Sequence, residues 1–338
     1  MAGRVFVSGG SGYIAGFLIR QLVLQGWTVH TTLRDPARET GLRELLAVDP
    51  ARLVVFAADL TRDAGWLEAV QGCSHVAHVA SPLPGRWVKK PDDLIVPARD
   101  GVLRVLNVAR AAGVRRFVMT SSVAAIVYGR GRGVHHFTEA DWTPGNAVGA
   151  SPYTLSKTLA ERAARDWVAR EGGGIEFCSI NPSVVLGPVW GPDHSSSIAL
   201  VRKLLSGSMR GCPDLGFGIV DVRDVADLHA RALVAPDMAG ERFIASGPFL
   251  KVIAIAGILR QHLGEQARRV PTRQLPDLLV RVAALFDPLV RTAVGELGAE
   301  RHTDAGHARK VLGWVPRPVE QTLIDTARSL IELGLVRL

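Results

Sequence analysis

The sequence predicts an α/β protein built on a doubly wound parallel sheet, with a smaller, mostly helical C-terminal lobe. Three observations carry this. Short β-branched runs alternate with amphipathic helical stretches, the pattern of βαβ units. A glycine turn, Gly9 to Gly16, separates the first such run from the first helical stretch. After about Leu186 the alternation fades into Gly/Pro-rich loops and helices, resuming only over 217–225 and 241–246. The strands expected are Arg4–Val7, Thr28–Leu33, Leu53–Ala57, His75–His78, Arg116–Thr120 and 176–180. Helices fill the gaps, most clearly at 12–25, 92–112 and 152–171. The last has Ser151 to cap it, Pro152 at its first position and Gly172-Gly173-Gly174 to stop it. The expected units are a nucleotide-type domain over 1–186, to which 217–247 returns, and a lobe made of 187–216 and 248–338. A cleft between them is the natural place for a ligand.

Composition bounds the function. The 338 residues are 47% hydrophobic and 21% charged, as in an ordinary globular protein. The most apolar late segment, 278–294, is broken by Arg281, Asp287, Pro288 and Arg291, so no membrane span is expected. The first strand starts at Arg4, which leaves no room for a signal peptide and makes a cytoplasmic location the expectation. The net charge of +8 is scattered arginine without a long basic run. That fits a phosphate-bearing small ligand and argues against nucleic acid as a partner. Cys73, Cys178 and Cys212 lack metal or redox spacing and read as reduced thiols.

The chemistry starts at the glycine turn. Gly9 permits the tight turn, Gly12 lets the backbone approach a pyrophosphate, and Tyr13, Ile14 and the small Ala15 begin a helix whose N-terminus faces the anion. Among 35 glycines such a spacing arises easily by chance; its place between a strand and a helix makes it a dinucleotide signal of the Rossmann type. At the tip of the second strand Arg34 precedes Asp35. An arginine there pairs with the extra phosphate of NADP, whereas an acidic residue would favour NAD, so NADP(H) is expected over NAD(H). Asp59-Leu60, closing the third strand, could border the adenine or simply end the strand. Tyr153 and Lys157 share one face of a helix, where an ammonium beside a phenol should draw the phenol down toward working pH. Ser122 ends a strand upstream and completes a proton-transfer set. Singly, a serine after a strand is a cap and a tyrosine is core; the joint arrangement is what points to chemistry. His135-His136 have no partner spaced for ligation and read as loop residues, so no metal is expected.

With these residues in hand, the chain resembles the extended short-chain dehydrogenase/reductase family, in its dihydroflavonol-reductase-like and aldehyde-reductase-like branch. The resemblance covers essentially the whole length. Beyond the glycine turn it rests on 32–36, on 58–60, on 71–73 with 78–82, on Thr120-Ser121-Ser122, and on Tyr153 to Lys157 with Glu161. It continues through 181–188, 220–226 and 312–316. It implies hydride transfer between a nicotinamide and a carbonyl. Ser122 would then hydrogen-bond the carbonyl oxygen, Tyr153 would donate the proton, and Lys157 would hold the nicotinamide ribose. Val79 and Ala80 would floor the cofactor pocket and Pro182 would border the nicotinamide. A homodimer through the long helices is expected on the same basis. The helix before the fifth strand departs from the family's Gly-Thr-x-Asn run, having Gly101-Val102-Leu103-Arg104 with Asn107 a turn later.

Two other readings stay open. A sugar-nucleotide epimerase shares the fold and the Tyr-Lys pair but keeps NAD bound, and a sensor of the same fold binds cofactor without turnover. Dehydratases place Asp-Glu where this chain has Ser121-Ser122. The substrate pocket is expected between 81–87, 127–149, 189–197 and 206–217, with Trp87, Trp190 and Phe217 as aromatic walls. A hydrophobic or aromatic aldehyde or ketone suits such walls.

Overall fold

Seven strands, β1 (Arg4–Val7), β2 (Thr28–Leu33), β3 (Leu53–Ala57), β4 (His75–His78), β5 (Arg116–Thr120), β7 (Glu176–Pro182) and β10 (Arg242–Ala245), form one sheet. Every pairing in it is parallel, in the order β10-β7-β5-β4-β1-β2-β3. The strand order reverses between β1 and β4, and ligands of open α/β sheets bind in the crevice such a reversal leaves at the C-terminal strand ends. The computed structural model describes residues 3–82, 90–145, 150–191, 196–286, 290–291 and 294–337.

Both sheet faces are covered, which is why β5 is buried along its whole length. Helices α1 (Tyr13–Leu24) and α7 (Val222–Val234) lie on one face, where Leu18, Ile19 and Leu22 pack with Val225 and Leu228. On the other, α3 (Trp66–Val70), α4 (Asp92–Ala111) and α5 (Pro152–Glu171) cover Phe6, Phe117 and Phe177. Burial of each such side chain contributes about 1.5–3 kcal/mol. The α5 start is as the sequence predicts: the Ser151 hydroxyl accepts the Thr154 N–H at 3.1 Å, and Pro152 follows it.

A second, smaller sheet draws its strands from both expected units. β8 (Val184–Leu186), β9 (Gly216–Asp221) and β11 (Phe249–Lys251) make a three-stranded sheet, packed against α6 (Ser196–Leu205), α8 (Val252–Leu263) and the final helix Val319–Glu332. The strand expected over 176–180 runs on to Pro182. The stretch 217–225 divides at Asp221, whose carboxylate accepts the Arg223 N–H at 2.9 Å and so starts α7. His135 and His136, expected in a loop, lie in β6 (Gly133–Phe137), which pairs in parallel with β12 (Ala299–Thr303). No helix among the described residues is long and apolar enough to cross a membrane.

Candidate active site

The crevice is built at the strand ends. Gly9, at φ +74°, turns the chain out of β1, and a Cβ there would come within 3.0 Å of the Ala80 Cβ, so only glycine lets the two loops meet. Gly12 caps α1 with no side-chain partner, and no acidic residue stands in the first turn. That leaves a bare helix N-terminus, the arrangement that receives a phosphate. Ile14 packs into the α1 core face. The Tyr13 phenol donates to Pro188 O at 3.2 Å and its ring meets Phe17 edge-on.

Val79 and Ala80 present their N–H groups to one atom, the Ser8 hydroxyl oxygen, at 3.0 and 2.9 Å. That hydroxyl must donate its own hydrogen elsewhere, and His78 Nδ1 lies 3.1 Å away. Burial, with Lys157 nearby, pushes the His78 imidazole down to about 3, so it is the neutral acceptor this count requires. Ser8 and His78 are site-shaping residues that the sequence reading passed over; the signal was their position, one directly before the glycine turn and the other directly before Val79.

Arg34 stands exposed beyond β2. Asp59 is half-buried, and its carboxylate accepts both the Thr61 N–H at 2.8 Å and the Thr61 hydroxyl at 2.6 Å. These bonds hold it below the usual carboxylate range, with Arg34 and Arg62 pulling the same way against burial. Leu60 packs against α4, where a Cβ on Gly101 would meet it at 3.0 Å. Gly101 thus gives Leu60 room. Asn107 gives no substitute for the family's asparagine: it bonds Leu103 O on its own helix and lines a surface hollow with Asp63, Asp100 and Arg104, away from the crevice.

Ser122, Tyr153 and Lys157 converge. Ser122 is 8% exposed, and its hydroxyl accepts the Ala124 N–H at 3.1 Å and stands near enough to the Tyr153 phenol to ease its ionisation. The Lys157 Nζ is 5.9 Å from the Tyr153 ring centre. The electrostatics depart from the expectation. Burial raises the Tyr153 phenol, only Ser122 lowers it, and the net direction is up. Lys157 itself is driven down to about 8 by burial, with Glu161 opposing. Dehydration dominates both shifts, and neither group figures in the other's. Pro182, buried at the end of β7, closes this side of the crevice.

Next to Ser122 a cavity of about 80 Å³ is lined by Val123, Tyr128, Ser183, Phe217, Phe249 and Glu296 among others. Phe217 is in place as an aromatic wall. Trp190 is turned instead onto Phe17, 3.8 Å between ring centres, and Trp87 lies outside the described residues. Tyr128, unforeseen, lines this cavity, and burial raises its phenol. Cys73 and Cys178 are buried thiols pushed up to about 12. His135 bonds Arg132 O and His136 stacks on His302. Among the described residues no cluster could hold a metal ion.

Residues 5–245 match the NAD dependent epimerase/dehydratase family. The chain belongs to that family. A cinnamoyl-CoA reductase of Medicago truncatula is 34% identical over 97% of this chain and 95% of its own length. A dihydroflavonol 4-reductase of Gerbera hybrida is 31% identical over 80% of this chain and 74% of its own. Among solved structures, yeast methylglyoxal/isovaleraldehyde reductase complexed with NADPH superposes with a TM-score of 0.82 at 25% identity, covering 98% of this chain and 99% of that one. Within the family, this chain therefore sits among reductases.

Proposed function

We propose that this protein is an NADPH-dependent reductase of a hydrophobic or aromatic aldehyde or ketone, with Tyr153 as proton donor. It is an oxidoreductase of the nicotinamide-dependent kind, and the reductase relatives and the NADPH-bound structural neighbour support NADP(H) as cofactor. The residues present suit that cofactor: an uncapped α1 N-terminus for the pyrophosphate, Gly9 against Ala80 where the backbones must come close, and exposed Arg34 for the extra phosphate. Bound there, the nicotinamide supplies a hydride to the carbonyl carbon.

The chain's own residues do the rest. The Ser122 hydroxyl donates to the carbonyl oxygen and stabilises the charge that gathers there. Tyr153 Oη passes its proton to that oxygen. Lys157 holds the ribose and keeps a positive charge beside the phenol. The observation that carries this reading is the gathering of Ser122, Tyr153 and Lys157, with Lys157 Nζ 5.9 Å from the Tyr153 ring centre and the phenol kept protonated at neutral pH by desolvation. Ser122 and Tyr153 stand at the strand-end crevice, beside a mostly apolar cavity. A homodimer through α4 and α5 belongs to the same reading and is checked by mass in solution.

NADPH oxidation followed with a panel of aldehydes and ketones tests the function. Turnover that collapses in Tyr153→Phe is the expected result. Tightly retained NAD without net consumption would point to an epimerase, and cofactor binding with no turnover of any carbonyl would point to a sensor.

A further inference from the structure

We propose that Glu161 is a positioning residue that, acting through Asn181 and Ser121, fixes where the Ser122 hydroxyl stands. The proposal rests on the reading of Ser122 and Tyr153 as the working pair. Tyr153, Lys157 and Glu161 follow one another at four-residue intervals along one face of α5. The first two face the crevice, whereas the Glu161 side chain is fully buried behind it.

Donors from four elements meet on this one carboxylate. Oε2 accepts the Ser121 hydroxyl at 2.6 Å and the Asn181 amide at 2.8 Å. Oε1 accepts the Ser179 hydroxyl at 2.8 Å, Arg242 Nε at 2.7 Å and Arg165 Nε at 3.4 Å. The Asn181 Nδ2 group also donates to Ser122 O at 3.0 Å. Arg242 reaches past the site to the carbonyls of Glu139 and Asp141, at 2.8 and 2.6 Å, and to Ala125 O at 3.5 Å. Ser122 is therefore held on three sides: the residue before it by its side chain, its own carbonyl by Asn181, and the turn after it by Arg242. All three restraints lead back to Glu161.

The charge balance explains why an acid stands there. Burial alone would raise the Glu161 carboxyl, but Arg242, Arg165 and Ser121 outweigh it and the group stays ionised. An ionised carboxylate accepts hydrogen bonds only, so it fixes the direction of every donor around it. The Ser122 carbonyl already accepts the Ala125 N–H at 3.0 Å, and the Asn181 amide adds a second donor from across the sheet, at the residue whose hydroxyl must point at the substrate.

Loss of the buried charge in Glu161→Gln can unfold the chain, because two arginines remain. Asn181→Ala removes the amide that joins Glu161 to the Ser122 carbonyl and leaves the Glu161 ion pairs with Arg242 and Arg165 in place. The decisive measurement is a double-mutant cycle on kcat with Ser122→Ala, Asn181→Ala and both, beside NADPH affinity and KM. Asn181→Ala is expected to lower kcat tenfold or more with NADPH affinity within about twofold, and the double variant to be no slower than Ser122→Ala alone. Parental kcat in Asn181→Ala, or losses that multiply in the double variant, overturns the proposal while the Ser122 effect stands. Full turnover in Ser122→Ala removes the underlying reading, and this proposal with it.

Discussion

Lys157 stands 5.9 Å from the Tyr153 ring centre, yet the group that eases the phenol's ionisation is the Ser122 hydroxyl, and burial still leaves the phenol above its ordinary range. A phenol in that state keeps its proton and suits the reductive direction, in which it must give a proton away. Replacing Tyr153 by Phe removes the proton and little else. Turnover should fall on the order of 10²- to 10⁴-fold, with NADPH affinity, read by fluorescence titration, within about twofold. A variant that keeps most of its rate takes Tyr153 out of the mechanism.

Lys157 gives the pH dependence. Its ammonium is pushed down to about 8, so it is charged below that pH and neutral above. The rate of carbonyl reduction should hold through neutrality and decline as pH rises past about 8. Lys157→Arg, whose guanidinium keeps its proton throughout this range, should lose that alkaline decline even at a lower absolute rate. An unchanged profile in the variant assigns the decline to another group.

Arg34 decides between the two nicotinamide cofactors. Arg34→Ala should weaken NADPH by about tenfold or more, the loss of one charge-assisted contact to phosphate, and leave NADH nearly unaffected. Parallel KM measurements with both cofactors read this directly. Equal effects on the two would place the extra phosphate elsewhere.

Stability of the C-terminal segment hangs on Trp314 and Asp224. The Trp314 side chain is 1% exposed and its indole N–H donates to Asp224 O at 2.8 Å, while the Asp224 carboxylate accepts from Arg317 N and Nε at 2.8 and 2.9 Å. Trp314→Ala should cost about 3–5 kcal/mol, read by denaturant unfolding. A loss under about 1 kcal/mol would show that the segment is held by something else.

The parts legible in the sequence share one property, which is that their signals are local. The glycine turn, the cap at Ser151 and the Tyr-Lys helix each announce themselves within about two helical turns. What escaped is non-local. Arg242 reads as a surface arginine until β10 is laid beside β7, which brings it onto Glu161. Strand β6 has no recognisable pattern because its only pairing partner among the described residues, β12, lies far along the chain. The expected pull of Lys157 on Tyr153 failed for another reason: spacing shows that two groups are neighbours, but not how much water each has lost.

That pairing of β6 with β12 has a temporal side. Residues 133–137 belong to the segment joining Ser122 to Tyr153, and they find their partner only when residues 299–303 have left the ribosome. At the ~5–20 residues per second of protein synthesis, residues 247–303 take roughly three to eleven seconds to appear, during which the nucleotide crevice stands beside an unpaired loop. Competence to grip the cofactor should therefore arrive earlier than competence to use it.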